Sequence, residues 1–366
     1  MARARIQDKE TVLTDKEKDL GISGYLNTGI DLLDCVLGKG LPLGQSINIC
    51  GEEGGGKTYL VCEILANLRK KYGDKLKWFY DFPEARFDSY FNELYKFEIL
   101  PNDPLLHKRS FTMDDFKRNV NNHLFKIKND EIGVYIVDCF DALTTEEELF
   151  RIKEKLSKAE EKDYNNAENL LEAIKKVKGS FRGEKPKEVG EFFRFLAQAI
   201  RGKQYLLIII SQVRMNMDMY GPKFNRNGGK ALDHMCSQIM WLRVSEVHYA
   251  AKSGIRKRAI RNTVNIKITK NSAGKPFRES YIDYLYDYGV DNIISNINFL
   301  YELKTDTGKS KEKVGNLGWK DKVFTTVKDL VQYIEGNNEE EELSKAVIKK
   351  WNEVETAIAP MRKERF

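Results

Sequence analysis

Apolar residues fall along this chain in short blocks, and their spacing switches between continuous runs and a helical period. The block Ser46-Ile47-Asn48-Ile49-Cys50 is short, partly β-branched and bounded by Gly44 and Gly51, which predicts a buried strand. From Tyr59 to Lys70 the chain places Leu60, Ile64, Leu65 and Leu68 on one stripe, as an amphipathic helix does. Leu76 to Asp81 predicts a second strand, Asp88 to Lys96 a helix, and Val134 to Asp138 a third strand, apolar until its final acid. Between Thr144 and Glu188 Glu and Lys dominate, with leucines at helical spacing. A projecting helical hairpin is expected there, suited equally to solvation and to a partner. A helix from Val189 to Arg201 and a strand from Tyr205 to Ile210 follow, with Ser211 and Gln212 at the strand's end. Residues 214–230 are polar, glycine-bearing and without period, hence a loop. Strands from Gln238 to Val244 and Val264 to Thr269 flank a basic segment.

The ends of the chain read differently. Residues 1–23 form a charged arm or frayed helix. Leu26 to Gly44 predicts a short helix capped by Asn27 or Thr28 and ended by Gly38, Gly40 and Pro42. Beyond about Ile294 a separate small domain is expected, with helical periodicity over Val323 to Ile334 and Leu343 to Ile358. Asn337 to Glu342 between them reads as a solvated linker or a helix start.

Composition narrows the function classes. At 366 residues and 41% hydrophobic, the chain accommodates one large α/β domain and a smaller appendage. No apolar run approaches the ~20 residues that span a bilayer, and no apolar segment follows the basic N-terminus, so neither a membrane protein nor a secretory signal is expected. Five scattered cysteines without C-x-x-C predict free thiols in a reducing, cytoplasmic compartment. Four histidines show no metal-ligand spacing. A net charge of +6 permits a polyanionic partner without requiring one.

The candidate chemistry centres on Gly51-Glu52-Glu53-Gly54-Gly55-Gly56-Lys57-Thr58, which fits the phosphate-loop template between a strand and a helix. Glycines let backbone N–H groups point inward, and the helix N-terminus adds positive potential. Lys57 would reach the β- and γ-phosphates of ATP, and the Thr58 hydroxyl would ligate Mg²⁺. Asp138, ending a buried strand, stands where a second Mg²⁺ ligand is placed, or is a simple cap. Glu84 would orient or deprotonate the attacking water, with Asp81 its competitor. Gln212 is either a γ-phosphate sensor or a plain polar residue at a strand tip.

The order of these pieces resembles the RecA family of recombinases. The resemblance rests on LNTGIDLLD, GLPLG, GEEGGGKT, FYDFPEA, VYIVDCFDAL, IIISQVRM, MYGPKFNRNGGKAL and ITKNSAGKPF, and covers roughly residues 22–290. It implies a RecA-like phosphate-loop ATPase core over residues 24–293, with a central mostly parallel sheet and the charged insertion near 144–188. Residues 294–366 would be the family's small α+β C-terminal domain. ATP and Mg²⁺ are implied as cofactors. The loop with Tyr59 behind it would hold the phosphates, Tyr90 would stack on adenine, and Lys270 would reach ATP from a neighbouring subunit. Gln212 would couple the γ-phosphate to a DNA loop carrying Arg214, Tyr220, Lys223, Arg226, Gly228, Gly229 and Lys230. The chain departs from the family at Pro83, which occupies the place of the catalytic glutamate one residue before Glu84. It departs also at Ser272, in place of a second interface lysine, and at His234, in place of an aromatic.

DNA binding has support apart from the resemblance. Lys252, Arg256, Lys257, Arg258 and Arg261 cluster, with Lys267 and Lys270 nearby, and cations flank Tyr220 and Phe224. Cations suit backbone phosphates, and aromatics stack on unpaired bases. The expected protein is a DNA-dependent ATPase that assembles as a filament or ring on single-stranded DNA and promotes strand pairing or exchange. The rivals are an accessory or helicase-like ATPase without strand exchange, and an ATP-binding interaction module with negligible turnover.

Overall fold

The structure is a computed structural model that describes residues 13–84, 88–100, 109–151, 154, 184–215, 224–226, 229–250, 256–304, 307–308, 310 and 315–359. A short antiparallel pair, β1 (Gly24–Leu26) and β2 (Leu41–Leu43), precedes the central sheet. That sheet comprises β3 (Gln45–Gly51), β4 (Leu76–Asp81), β5 (Ile132–Val137), β6 (Tyr205–Met215), β7 (Phe224–Arg226), β8 (Gln238–Ala250), β9 (Arg258–Asn271), β10 (Glu279–Leu285) and β11 (Gly289–Val290). Its order is β11-β10-β9-β8-β3-β6-β5-β4, with β7 paired to β6. The pairs from β4 through β5, β6 and β3 to β8 are parallel, and those from β8 to β11 are antiparallel. The fold is thus α/β with a mostly parallel centre.

Strand β6 shows why the centre is buried on both faces. Leu206, Ile208 and Ile210 enter one core, while Tyr205, Leu207 and Ile209 enter the other. A two-residue side-chain period with apolar groups on both faces demands cover on each. Helix α3 (Lys57–Tyr72) covers the first face with Leu60, Ile64, Leu65 and Leu68, all buried as their stripe predicts. Each such side chain contributes about 1.5–3 kcal/mol on burial. The second face is covered by α5 (Met113–Lys126) and α6 (Glu184–Ile200), through Phe116, Val120, Phe192 and Phe193. Before them come α1 (Asp15–Asp19), α2 (Asp31–Leu37) and α4 (Tyr90–Tyr95).

Several boundaries differ from the sequence expectation. The N-cap of α2 is Ile30, not Asn27 or Thr28. Those two side chains instead hold the preceding turn, Asn27 accepting from the Gly29 amide and Thr28 from the Ile30 amide. Helix α6 begins at Glu184, five residues before the predicted start at Val189, because its first turn carries charge rather than apolar residues. Strand β6 continues past Gln212 to Met215 and pairs with β7, so residues 214–230 contain a hairpin, and α7 (Gly229–Met235) starts at their end. Strands β8 and β9 run past their apolar cores as a two-stranded ribbon ending near Ala250 and Arg258. Burial marked only the parts of these strands that lie in the sheet. Of the charged insertion, the described residues show helix over 146–151 and at 154, and its last residues, 184–188, open α6; residues 152–153 and 155–183 of the expected hairpin lie outside the described residues.

The C-terminal segment contains α8 (Asn292–Leu300), the hairpin β12 (Leu317–Trp319) and β13 (Lys322–Phe324), α9 (Val327–Asn337) and α10 (Glu340–Ala357). It closes its own small core of Ile297, Leu303, Leu317, Leu330, Ile334 and Leu343. Asp31 of α2 ties this segment down. Its carboxylate accepts from Asn292 at 2.8 Å, Asn296 at 2.6 Å and Ser344 at 2.9 Å. Glu340 to Glu342 form the first turn of α10, where acidic groups oppose the helix dipole.

Candidate nucleotide site at the carboxyl ends of the parallel strands

The carboxyl ends of β3, β5 and β6 meet at a cavity of about 520 Å³. Its floor is the loop between β3 and α3. Gly51 is required by the close approach of β8, since a Cβ there would lie 2.4 Å from the Leu242 carbonyl oxygen. Gly56 takes φ +83°, in the left-handed region that favours glycine, and turns the chain into α3. Glu53, Gly54, Gly55, Gly56, Lys57, Thr58 and Tyr59 line the cavity. The Lys57 ammonium folds back to donate to the carbonyls of Gly51 at 2.9 Å and Glu52 at 2.7 Å. Burial holds its pKa below the ordinary lysine value, opposed by the charge of Asp138. A buried cation whose ammonium donates to two main-chain carbonyls of the loop fits a phosphate-binding cradle.

The residues expected to hold a metal are also together. Asp138 follows β5, and its Oδ2 accepts from the Thr58 hydroxyl at 2.7 Å and the Tyr80 hydroxyl at 2.6 Å. Burial raises the Asp138 pKa, and both hydroxyl donors work against that rise. A carboxylate and a hydroxyl oxygen in contact at a phosphate cradle fit Mg²⁺, which takes one or two protein oxygens and completes its shell with phosphate and water.

Glu84 and Gln212 face each other across this cavity. The Gln212 amide Nε2 donates to Glu84 Oε1 at 2.9 Å, and the Cys139 thiol donates to the same oxygen at 2.7 Å. The Gln212 main-chain N–H donates to Asp141 Oδ2. Asp81, the competing carboxylate, is fully buried and does not line the cavity. It accepts from the Ser110 amide and hydroxyl and from the Tyr135 hydroxyl, so it ties β4 to β5 and the segment before α5. Of the two carboxylates, Glu84 lines the cavity and Asp81 does not.

The aromatic wall corrects one expectation. Tyr90, expected to stack on a base, directs its hydroxyl to the Tyr286 carbonyl and to Asp287, and it does not line the cavity. Its neighbour Phe91 does, packed edge-on against Tyr59 with centroids 4.9 Å apart. Adjacent residues on a helix point about 100° apart, so the rotation of α4 selects Phe91. Asp88, Asn262, Tyr284 and Tyr286 complete the wall. The sequence reading missed all of these, and the alternating E-S-Y-I-D-Y-L of β10 was the available signal.

The remaining expected positions lie elsewhere. Lys270 donates to the carbonyls of Asp233 and His234 at the end of α7, away from its own chain's cavity. Arg214 lies on β6 and Arg226 on β7, one register position apart across the hairpin, and Gly229 and Lys230 open α7. Tyr220, Lys223, Gly228 and Lys252 lie outside the described residues. In the second basic group, Arg256, Lys257 and Arg258 are exposed, and Lys257 sits 4.8 Å over the Tyr249 ring. Arg261 and Lys267 differ from that group. Arg261 is paired with Asp283, and Lys267 with Glu279 across the β9–β10 ladder.

The chain was compared with known proteins. The family model described as the RecA N-terminal domain matches residues 174–291. Protein RecA of Thioalkalivibrio sulfidiphilus is 25% identical over 272 residues, spanning 73% of this chain and 68% of that protein. Protein RecA of Colwellia psychrerythraea is 27% identical over 270 residues, 73% of this chain and 67% of that protein. Among solved structures, the RadB recombinase aligns with a TM-score of 0.46 at 16% identity, covering 73% of this chain and 98% of that one. Among the described residues no helix is long and apolar enough to cross a membrane. The chain is thus distantly similar to RecA proteins over 73% of its length, and its residues 174–291 match the RecA N-terminal domain model.

Proposed function

We propose that the chain is a DNA-dependent ATPase of RecA type that binds single-stranded DNA and promotes homologous pairing or strand exchange. The observation that carries this reading is the Gln212–Glu84 contact. It joins the group suited to activate water to the strand that runs on into the β6–β7 hairpin. Lys57 would bind the β- and γ-phosphates, and Thr58 and Asp138 would hold Mg²⁺. Mg²⁺ bound there would neutralise phosphate charge. Glu84 would take a proton from the attacking water. Phe91, Tyr59 and Tyr286 would enclose the base. Nucleotide that engages Gln212 would change the position of β6 beyond the sheet, and with it the loop carrying Arg214, Tyr220, Lys223, Arg226, Gly228, Gly229 and Lys230. A copy of the chain placed against this one would bring Lys270 to the bound nucleotide, in a filament or a ring. Supporting this reading are the RecA relatives and the exposed Arg256, Lys257 and Arg258 beside Tyr249.

The test is fluorescence anisotropy of a labelled single-stranded oligonucleotide with and without ATP and Mg²⁺, followed by a strand-exchange assay. ATP-dependent binding and exchange are expected. Binding that ignores ATP contradicts the coupling, and ATP-dependent binding without exchange supports an accessory ATPase instead.

A further inference from the structure

The turn after β5 reaches three separate elements with three side chains. Asp138 holds Thr58 on α3, Cys139 holds Glu84 in the segment after β4, and Asp141 holds the main-chain N–H of Gln212 on β6. The register explains the third contact. Pairing between β5 and β6 ends at Val137 and Ile209, so Gln212 stands three residues beyond the last paired position. Its amide takes its acceptor from the Asp141 side chain. The Cys139 thiol and the Gln212 side-chain amide both donate to Oε1 of Glu84 and fix that oxygen from two directions. Asp141 does not line the cavity, whereas Cys139, though only 2% exposed, is one of its lining residues.

We propose that Cys139 and Asp141 are positioning residues that set the geometry of the Glu84–Gln212 pair, Cys139 through the carboxylate of Glu84 and Asp141 through the backbone of Gln212. The inference rests on the ATPase reading above for its catalytic consequence, but not for the anchoring itself. A water-activating carboxylate displaced by about an ångström loses on the order of 10²-fold in rate, with little effect on groups that bind the ground state. Removing either anchor should therefore act on kcat rather than on KM. The conservative replacements should restore it, since Ser keeps a donor at position 139 and Asn keeps an acceptor at position 141.

The experiment measures ATP hydrolysis and nucleotide affinity for Cys139→Ala, Cys139→Ser, Asp141→Ala and Asp141→Asn. Hydrogen exchange over the peptide containing Gln212 is measured alongside, without nucleotide. The alanine variants should lose ~10–100-fold in kcat with KM within a few-fold. Cys139→Ser and Asp141→Asn should lie close to wild type. Exchange at the Gln212 amide should accelerate in Asp141→Ala and not in Cys139→Ala, a difference that general loosening of the fold would not produce. Wild-type kcat in both alanine variants, with unchanged exchange, would overturn the proposal. A wild-type protein without turnover would contradict the ATPase reading, and faster Gln212 exchange in Asp141→Ala would still support the anchoring.

Discussion

The side-chain amide of Gln212 donates to the carboxylate of Glu84 at 2.9 Å, although 128 residues separate them along the chain. One contact thus links a strand that leads to the β6–β7 hairpin with a carboxylate facing the phosphate loop. An effector at the hairpin and a nucleotide at the loop would both act on this pair, which gives a differential interaction of the kind coupling requires.

Gln212→Ala should retain nucleotide binding. It should lose most DNA stimulation of hydrolysis and most enhancement of DNA affinity by ATP. Because coupling in binding is reciprocal, ATP affinity should also cease to respond to DNA. Titrations of each ligand in the presence and absence of the other check this, and an unaltered ATP dependence of DNA affinity would sink the switch. Tyr220→Ala should instead weaken single-stranded DNA binding with and without nucleotide, since base stacking contributes ~1–3 kcal/mol.

Lys57→Ala should nearly abolish turnover. The ammonium is the buried cation of the cradle, and charge developing on phosphate in the transition state would be left uncompensated. Steady-state hydrolysis measures it, and a rate near wild type would remove the phosphate loop from the account.

Glu84→Gln and Asp81→Asn should separate catalysis from stability. Glu84→Gln keeps size and hydrogen bonding but removes the base, and should cost ~10²–10⁴-fold in turnover with nucleotide affinity retained. Asp81→Asn disturbs the buried contacts to Ser110 and Tyr135 and should lower the unfolding free energy by ~1–3 kcal/mol. Thermal melts and turnover rates, compared for the two variants, distinguish the roles.

Asp291 supplies a pH dependence. It caps α8 by accepting from the Ile294 amide at 2.8 Å, and burial lifts its pKa from the ordinary aspartate value to about 6. The folded state therefore holds its proton more tightly than the unfolded state. The stability this contributes is complete below the ordinary aspartate value and is lost as pH rises through about 6. Asp291→Asn keeps the capping oxygen without the ionisation. Its stability relative to wild type should rise across that window, by at most ~1.4 kcal/mol per pH unit. Denaturant melts at several pH values measure the slope, and parallel pH profiles for the two proteins would refute it.

What the sequence made legible follows from how each feature is encoded. The phosphate loop is contiguous, and its glycines answer to backbone needs at Gly51 and Gly56, so its position and its strand–helix context were readable. Strands β3, β5 and β6 are buried on both faces and therefore show as apolar runs. The aromatic wall of the cavity was not readable, because Phe91, Asn262 and Tyr284 come from α4, β9 and β10, Tyr286 comes from the turn after β10, and Phe91 depends on the rotation of α4. The ribbon ends of β8 and β9 carry few core residues, so burial left no pattern there. Asp141 acts on a main-chain amide, an interaction that residue types do not announce.

The central claim is that nucleotide turnover at this site answers to single-stranded DNA. The most direct measurement is the steady-state rate of ATP hydrolysis by the purified chain with Mg²⁺, with and without saturating single-stranded DNA. The account predicts slow hydrolysis without DNA and a clear rise with it, a rise that Gln212→Ala removes. Hydrolysis that is absent in both conditions, or identical in both, would contradict it.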